Sequence, residues 1–196
     1  MNTNHNLIMK LRSHVMAASL NPDFVHHKWY SKYHLEIVER ISSELCAMYK
    51  HANRELTIAM VWLHDYGKMV GCEDHLKGAS QIKSQLLNEM GFESNFIKEI
   101  MRAMELLDNE VDLARAPIEV QIVSSADGAS HFVGPFQYFW WYENCDKDYK
   151  DLMQDNYNKA LLDWTKKIVL PEVHKRFETR FRLLLEQCGE FPAHFI

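Results

Sequence analysis

The sequence predicts an all-α fold, a single-domain bundle of about six to nine helices. Apolar residues recur at three- and four-residue steps along most of the chain, which is the spacing of one helix face. Only seven glycines and five prolines interrupt 196 residues, so few turns are expected. With 47% hydrophobic residues the chain can bury one substantial core, whereas a second independent domain would be cramped.

The first predicted helix runs from about Trp29 to Tyr49, and His34 lies on its apolar face. The apolar side chains of that face are Ile37, Val38, Ile41, Leu45 and Met48. The next helix, from Glu55 to Met69, is apolar almost all round, which is the pattern of a central helix surrounded by others. Gly71 follows its end.

Further helices share the same apolar periodicity. They are expected over residues 75–90, 96–107, 117–127, 147–168 and 172–187. Pro117 suits the first turn of the helix that carries Asp127, and Pro171 separates the last two helices. His75 begins the apolar stripe of its own helix.

The charge balance and the cysteines limit the partners of the protein. A formal net charge of -5 argues against a general nucleic-acid or acidic-membrane surface, because a phosphate backbone requires clustered lysine and arginine. The four cysteines include no CxxC pair, which disfavours a zinc ribbon and a disulfide scaffold. No stretch approaches the roughly 20 apolar residues of a membrane span. We therefore expect a cytoplasmic protein with a small-molecule substrate and no nucleic-acid duplex or membrane partner.

His64 and Asp65 form an imidazole and carboxylate pair at the end of a strongly apolar segment. Charge is costly there unless a cation compensates it. His34 and Asp127 are polar groups on apolar faces of two other predicted helices, and a shared metal would explain both placements. Taken singly, each histidine is also explained as a hydrogen-bonded core residue and each aspartate as a cap or a surface charge. The predicted site is one divalent ion, Mn, Fe, Co, Ni, Zn or Mg, with the ligands His34, His64, Asp65 and Asp127.

The local contexts of these four residues resemble the motifs of the HD superfamily of metal-dependent phosphohydrolases. A histidine, a His-Asp pair and a final aspartate occur in the family's order, within Tyr33-His34-Leu35-Glu36-Ile37-Val38, Trp62-Leu63-His64-Asp65-Tyr66-Gly67-Lys68 and Ser125-Ala126-Asp127-Gly128-Ala129. Asp74-His75-Leu76-Lys77-Gly78-Ala79 resembles the segment that often follows the His-Asp pair. The resemblance covers a metal-binding core of about residues 29–132, and residues 133–196 are expected to form a C-terminal helical extension packed on that core.

The resemblance implies an all-helical fold in which the four predicted ligands bind one metal, with water or hydroxide completing the coordination. The implied reaction is hydrolysis of a small phosphate ester, a nucleotide being one candidate, by a metal-activated water. Asp65 is then a catalytic residue. Lys68 matches the lysine of the family's HDxGK variant and would hold a substrate phosphate during catalysis, with a solvated lysine at a helix end as the ordinary alternative. His75 would contact the substrate or support the site.

The sequence departs from the two-metal relatives of this family. Residues 101–108 include no histidine, so a second ion would have to use Glu105 or Asp108, and one ion is the expectation. A metal-holding regulatory module without turnover is the alternative function, because retained ligands do not exclude it. An HD-type di-iron oxygenase is a further alternative, which the missing histidine disfavours.

An aromatic run from Phe132 to Tyr142 follows Asp127 closely. Its rings could stack on a nucleobase, but packing of the C-terminal helices onto the core, or a homodimer contact, is the simpler interpretation. His26 and His27 precede the first predicted helix in a polar segment; they are expected to be exposed, with a position at the mouth of the pocket as the alternative. Near the C-terminus, arginines alternate with glutamates as on an ordinary charged helix surface; the arginines are Arg176, Arg180 and Arg182.

Overall fold

The structure, a computed structural model, describes residues 3–72, 77–109 and 112–194. These residues form ten α-helices and no strand, which confirms the all-α prediction. Nine of the ten helices have eight or more residues, and α4 is a single turn. The helices are α1 (Thr3–Ala18), α2 (Glu36–Met48), α3 (Arg54–Leu63), α4 (Tyr66–Met69), α5 (Lys77–Glu89), α6 (Ser94–Asp108), α7 (Ile118–Ser130), α8 (Phe136–Glu143), α9 (Tyr149–Leu162) and α10 (Pro171–Gln187).

Three short turns of other helical types join these elements. A π-helical turn, Ser31–Leu35, leads directly into α2, and a second one, Asp163–Lys167, extends the end of α9. A single 3-10 turn, Leu113–Arg115, precedes α7, which begins immediately after Pro117. Both π-helical turns prove to carry residues of the candidate site.

The helix α3 is the central helix that the sequence predicts. Every residue from Thr57 to Leu63 is buried, and α1, α2, α6 and α7 pack around it. No helix was predicted at α1, yet its residues Leu11 and Val15 are fully buried in the same core. Burial of each such side chain contributes about 1.5–3 kcal/mol, so α1 is an integral part of the core.

The helix predicted from Glu55 to Met69 is broken at the candidate ligands. Asp65 has φ -110° and ψ 10°, outside helical geometry, and α4 starts at the next residue. Lys83 of α5 stabilises this break, because its buried ammonium group donates a hydrogen bond to the His64 carbonyl oxygen at 3.1 Å. That carbonyl group is therefore satisfied without a further turn of α3.

Gly67 allows α5 to approach α4 closely. A Cβ atom at Gly67 would lie 2.8 Å from the Cβ atom of Ala79, closer than carbon atoms pack. The close contact between Gly67 and Ala79 places α5, and with it Lys83, beside the end of α3.

The C-terminal layer, defined as residues 149–187 (α9, the second π-helical turn and α10), packs on α7. Ile122 and Ala129 of α7 share a second apolar cluster with Leu170 and Phe181 of this layer. The position of the layer places the turn Asp163–Lys167 beside the end of α7. Within the described residues, none of the helices combines the length and the hydropathy needed to cross a membrane.

Candidate metal centre

Four side chains from three segments converge at one point. His34 lies in the first π-helical turn, His64 and Asp65 lie at the break after α3, and Asp127 lies in α7. The Nε2 atoms of His34 and His64 are 3.3 Å apart. The His34 Nε2 atom is 3.4 Å from Asp127 Oδ1, and the His64 Nε2 atom is 3.4 Å from Asp65 Oδ2. The remaining distances from these nitrogens are 3.9 Å (His34 to Asp65) and 3.8 Å (His64 to Asp127).

These separations fit a set of atoms arranged around one ion. Ligand atoms about 2.1 Å from a divalent metal lie about 3.4 Å apart in a tetrahedral arrangement and about 3.0 Å apart at right angles. The observed range of 3.3 to 3.9 Å lies at or slightly above these values. Two imidazoles and two carboxylates suit the borderline-to-hard divalent cations, so the donor chemistry fits as well.

Hydrogen bonds on the far side of each ring determine the tautomers of both histidines. The Ser130 hydroxyl donates to the Asp127 carbonyl oxygen at 2.7 Å, so its oxygen accepts the proton of His34 Nδ1 at 3.0 Å. The His64 Nδ1 atom donates to the Val61 carbonyl oxygen at 2.7 Å. In its neutral form each ring therefore has its lone pair on Nε2, and this is the form that binds metals.

In these neutral tautomers the two Nε2 lone pairs face each other. The carboxylate oxygens beside them are also acceptors, and the Tyr30 hydroxyl, which donates to Asp65 Oδ2, is the donor that reaches this group. Such a group repels itself unless a cation lies among its members. Burial lowers the pKa of His34 well below its ordinary value, against the opposing effect of Asp127, so this ring stays neutral and cannot supply that positive charge itself.

Each aspartate divides its two oxygen atoms between the centre and a lysine. Asp65 turns Oδ2 toward the histidines, while its Oδ1 accepts a hydrogen bond from Lys68 Nζ at 2.7 Å. Asp127 turns Oδ1 toward the histidines, while its Oδ2 accepts from Lys167 Nζ at 2.5 Å. Burial opposes the ionisation of both aspartates, but the adjacent basic side chains outweigh it and hold both pKa values well below the ordinary range.

His131 is a further candidate ligand, which was not predicted from the sequence. Its ring stacks on His34 with 5.1 Å between centroids, and its Nε2 atom is 3.6 Å from Asp127 Oδ1. Its Nδ1 atom donates at 2.8 Å to Asp163, a carboxylate without exposed surface that also binds Lys159 at 2.6 Å. His131 follows Asp127 by four residues, so helix periodicity alone could have placed the two side chains on one face.

Tyr30 and Lys167 also contact the ligands, and neither was predicted. The Tyr30 hydroxyl donates to Asp65 Oδ2. Burial and the adjacent Asp65 raise the pKa of Tyr30 well above its ordinary value, so the phenol remains a donor. Tyr30 lies 35 residues before its aspartate and Lys167 lies 40 residues after its own, so no local spacing connects either pair.

The other residues predicted for the site have different positions. Lys68 lies beside Asp65, as expected. His75 lies outside the described residues. Glu105 and Asp108, the alternatives for a second ion, line a groove between α5 and α6, and Asp108 is 3.5 Å from Lys83 Nζ. Within the part of the chain that the structure describes, neither belongs to a cluster of metal-ligating groups.

Two groups of polar residues, a histidine pair and the C-terminal arginines, were predicted to lie at the surface, and the histidine pair is partly buried. The expected exposure of His26 and His27 is wrong, since both are half-buried and the Nδ1 atom of His26 is 2.6 Å from Glu143 Oε2. The prediction for the C-terminal arginines is confirmed for Arg182, which is exposed and pairs with Glu178 at 2.7 Å on the surface of α10.

The aromatic run forms α8, a helix that the sequence analysis did not predict. Phe136 lies with its ring centroid 4.3 Å from that of His131, and Phe139 stacks on Trp29 at 5.3 Å. These two rings pack α8 against the core around α3.

Phe132, at the start of the run, has its ring centroid 6.2 Å from that of Trp164 and 5.8 Å from that of Phe181 in the C-terminal layer, which confirms the packing interpretation for this ring. Tyr138 and Tyr142 of α8 are exposed.

Comparison of the chain with protein-family models, with curated proteins and with solved structures finds no match. The functional interpretation therefore depends on the residues of the site and on their geometry.

Proposed function

We propose that this chain is a metal-dependent phosphohydrolase of the HD type that acts on a small phosphate ester. The ligands of its single divalent ion would be His34, His64, Asp65 and Asp127. One observation carries the proposal: the Nε2 nitrogens of two imidazoles and two carboxylate oxygens converge, with nitrogen-to-nitrogen and nitrogen-to-oxygen separations of 3.3 to 3.9 Å. A divalent cation among these acceptors would stabilise them.

The side chains around the ligands fit phosphate chemistry. A divalent ion bound at this centre supplies a nucleophilic water at neutral pH and neutralises charge on phosphoryl oxygens. Lys68 adds a positive point charge at the solvent side, since 58% of its side chain is exposed. Tyr30 and Lys68 hold Asp65 through separate oxygen atoms, so the carboxylate keeps one orientation when a substrate enters.

A metal-holding regulatory module without turnover is the second candidate function. The observation that favours it is the ion pair between Lys68 and Asp65, because a lysine that is already paired must share or leave its partner to bind a substrate. Because 58% of the Lys68 side chain is exposed, solvent screens its side of the ion pair, and a substrate phosphate can replace part of this contact. The hydrolase therefore remains the main proposal.

Metal analysis followed by turnover assays tests the proposal. Freshly purified protein is analysed for metals and then assayed with Mn, Co, Ni, Mg or Zn against an aryl phosphate and a panel of mononucleotides. We expect one ion per chain and hydrolysis of at least one panel member. His64→Ala and Asp65→Asn should abolish both metal binding and hydrolysis. His51→Ala and Asp151→Asn, at exposed positions, are the matched controls and should behave as the wild type.

Each alternative outcome has a defined meaning. Metal binding without turnover on any panel member would support the regulatory module. Two iron ions per chain, without hydrolysis of any panel member, would instead support the di-iron alternative. If neither purified nor reconstituted protein binds a divalent ion, the phosphohydrolase proposal is wrong.

A further inference from the structure

Lys167 reaches the candidate metal centre from the C-terminal layer. Its Nζ atom is 2.5 Å from Asp127 Oδ2, and 34% of its side chain is exposed. In the same way, the Lys68 Nζ atom is 2.7 Å from Asp65 Oδ1. Asp65 and Asp127 lie 3.9 and 3.4 Å from the His34 Nε2 atom, so the two lysine–aspartate pairs flank the same centre. The centre is therefore flanked by two cations that also reach solvent.

The backbone around Lys167 is held in place by α7. The Ser124 hydroxyl donates to the Lys167 carbonyl oxygen at 2.9 Å, and the Ser125 hydroxyl oxygen accepts from two amides just beyond it at 3.0 and 3.2 Å. A Cβ atom at Gly128 would lie 3.0 Å from the Lys167 Cβ atom, so glycine lets the turn lie directly on α7. Lys167 also ends a π-helical turn, an irregularity that is frequent at functional sites. Its position depends on these contacts and not on the ion pair alone.

The charges at the centre balance before any ion or substrate binds. The two ligand aspartates carry two negative charges, Lys68 and Lys167 carry two positive charges, and histidines bind a metal in their neutral form. The adjacent Lys159 and Asp163 pair with each other at 2.6 Å and cancel. A divalent ion with a neutral water as its remaining ligand therefore leaves an excess of two positive charges. A phosphate group with two negative charges neutralises this excess, whereas a diester with one negative charge leaves half of it.

We propose that Lys68 and Lys167 form a two-cation cradle that selects a phosphate group carrying two negative charges, so that the substrate is a phosphomonoester and not a phosphodiester. This inference rests on the proposed function. With Lys68 alone, the excess at the centre would be one positive charge, and a diester would match it. Lys167 therefore decides between the two classes of phosphate ester.

Anion binding without turnover tests the cradle. Isothermal titration calorimetry on the metal-loaded protein at about pH 8.5 compares methylphosphonate, a dianion with a non-hydrolysable P–C bond, with dimethyl phosphate, a monoanion. We expect the wild type to bind methylphosphonate at least about tenfold more tightly. Lys167→Gln should reduce that preference on the order of tenfold and leave the metal content unchanged. The matched control Lys166→Gln changes an exposed neighbouring lysine and should retain the wild-type preference.

Further variants separate the charge of Lys167 from its structural role. Lys167→Arg keeps the charge and should retain most of the preference for the dianion. Gly128→Ala should displace the turn and reduce the preference while the lysine remains present. Loss of metal from Lys167→Gln, or an equal loss of affinity for both anions, would show that Lys167 only neutralises Asp127 and would overturn the cradle.

The cradle and the proposed function fail in different ways. Selective binding of methylphosphonate by a protein that hydrolyses no substrate would support the cradle and count against the hydrolase. Preferential hydrolysis of diesters would support the hydrolase and overturn the cradle. Absence of methylphosphonate binding by the metal-loaded wild type would also overturn the cradle, whatever the hydrolysis assays show.

Discussion

The two aspartates of the candidate metal centre have the same arrangement but different structural origins. Asp65 receives its cation from Lys68, three residues later, whose side chain is 58% exposed. Asp127 receives its cation from Lys167, 40 residues later, whose side chain is 34% exposed. The Asp65 side is thus built by local geometry at the end of α3, and the Asp127 side by packing of the C-terminal layer on α7. The same type of ion pair thus joins sequence neighbours at Asp65, whereas at Asp127 it depends on tertiary packing.

A buried network lies behind Asp127. Asp163 has no exposed side-chain surface, and it binds His131 at 2.8 Å and Lys159 at 2.6 Å. Loss of one partner from a buried network leaves an uncompensated group, whereas loss of an exposed pair has little effect. Substitutions on the Asp127 side should therefore affect folding as well as the site, while substitutions at Lys68 should affect the site alone.

The largest effect on stability is expected for Asp163→Ala. Because the substitution leaves Lys159 and the buried His131 without their partner, the free energy of unfolding should fall by about 3 kcal/mol. Lys68→Ala, on the other side, should change it by less than about 1 kcal/mol. Urea unfolding followed by circular dichroism measures both values, and Asp151→Ala on the exposed face of α9 is the control. Equal effects of Asp163→Ala and Lys68→Ala would contradict the proposed difference between the two sides.

The same difference explains which parts of the site could be predicted from the sequence. Lys68 was recognisable because residues three apart on a helical turn are neighbours of each other. Asp127 was recognisable as a carboxylate on an apolar helix face. Lys167 and Tyr30 were not, since 40 and 35 residues separate them from the aspartates that they contact. Short-range periodicity contains no information on such distant pairs.

The helices show a similar limit. The apolar pattern of α3 correctly predicted a helix buried on all sides, because a helix of that kind has apolar residues at nearly every position. The end of α3 was not predicted, because the hydrogen bond from Lys83 to the His64 carbonyl oxygen depends on the position of α5. The break matters for function, since it turns His64 and Asp65 toward the same point.

A smaller effect is expected from the partners that orient the two ligand histidines. The ring of His64 is oriented by a backbone carbonyl group, that of Val61, whereas the ring of His34 is oriented by the Ser130 side chain. Ser130→Ala removes the acceptor for His34 Nδ1 and should lower the metal affinity by about tenfold. Calorimetric titration with Zn or Mn measures this change, with Ser13→Ala on the exposed face of α1 as the control. An unchanged affinity would mean that packing alone orients His34.

The smallest effect concerns a contact between the C-terminal layer and the end of α2. The Tyr49 hydroxyl donates to Glu172 of α10 at 2.7 Å. Partial burial and this carboxylate raise the pKa of Tyr49 to about 12, above its ordinary value. A phenol with a higher pKa in the folded protein stabilises that state fully below about pH 10. It loses this contribution as the pH rises through about 12.

Tyr49→Phe should therefore lower the free energy of unfolding by about 0.5–1 kcal/mol at about pH 8. The difference from the wild type should shrink as the pH rises above about 10, and urea unfolding at several pH values measures it. Tyr142→Phe, at an exposed position, is the control. Metal affinity should not change, because Tyr49 contacts α10 and not the turn that carries Lys167. A loss of metal affinity in Tyr49→Phe would show that the whole C-terminal layer positions the metal centre. An effect on stability alone would mean that the turn Asp163–Lys167 is sufficient to position it.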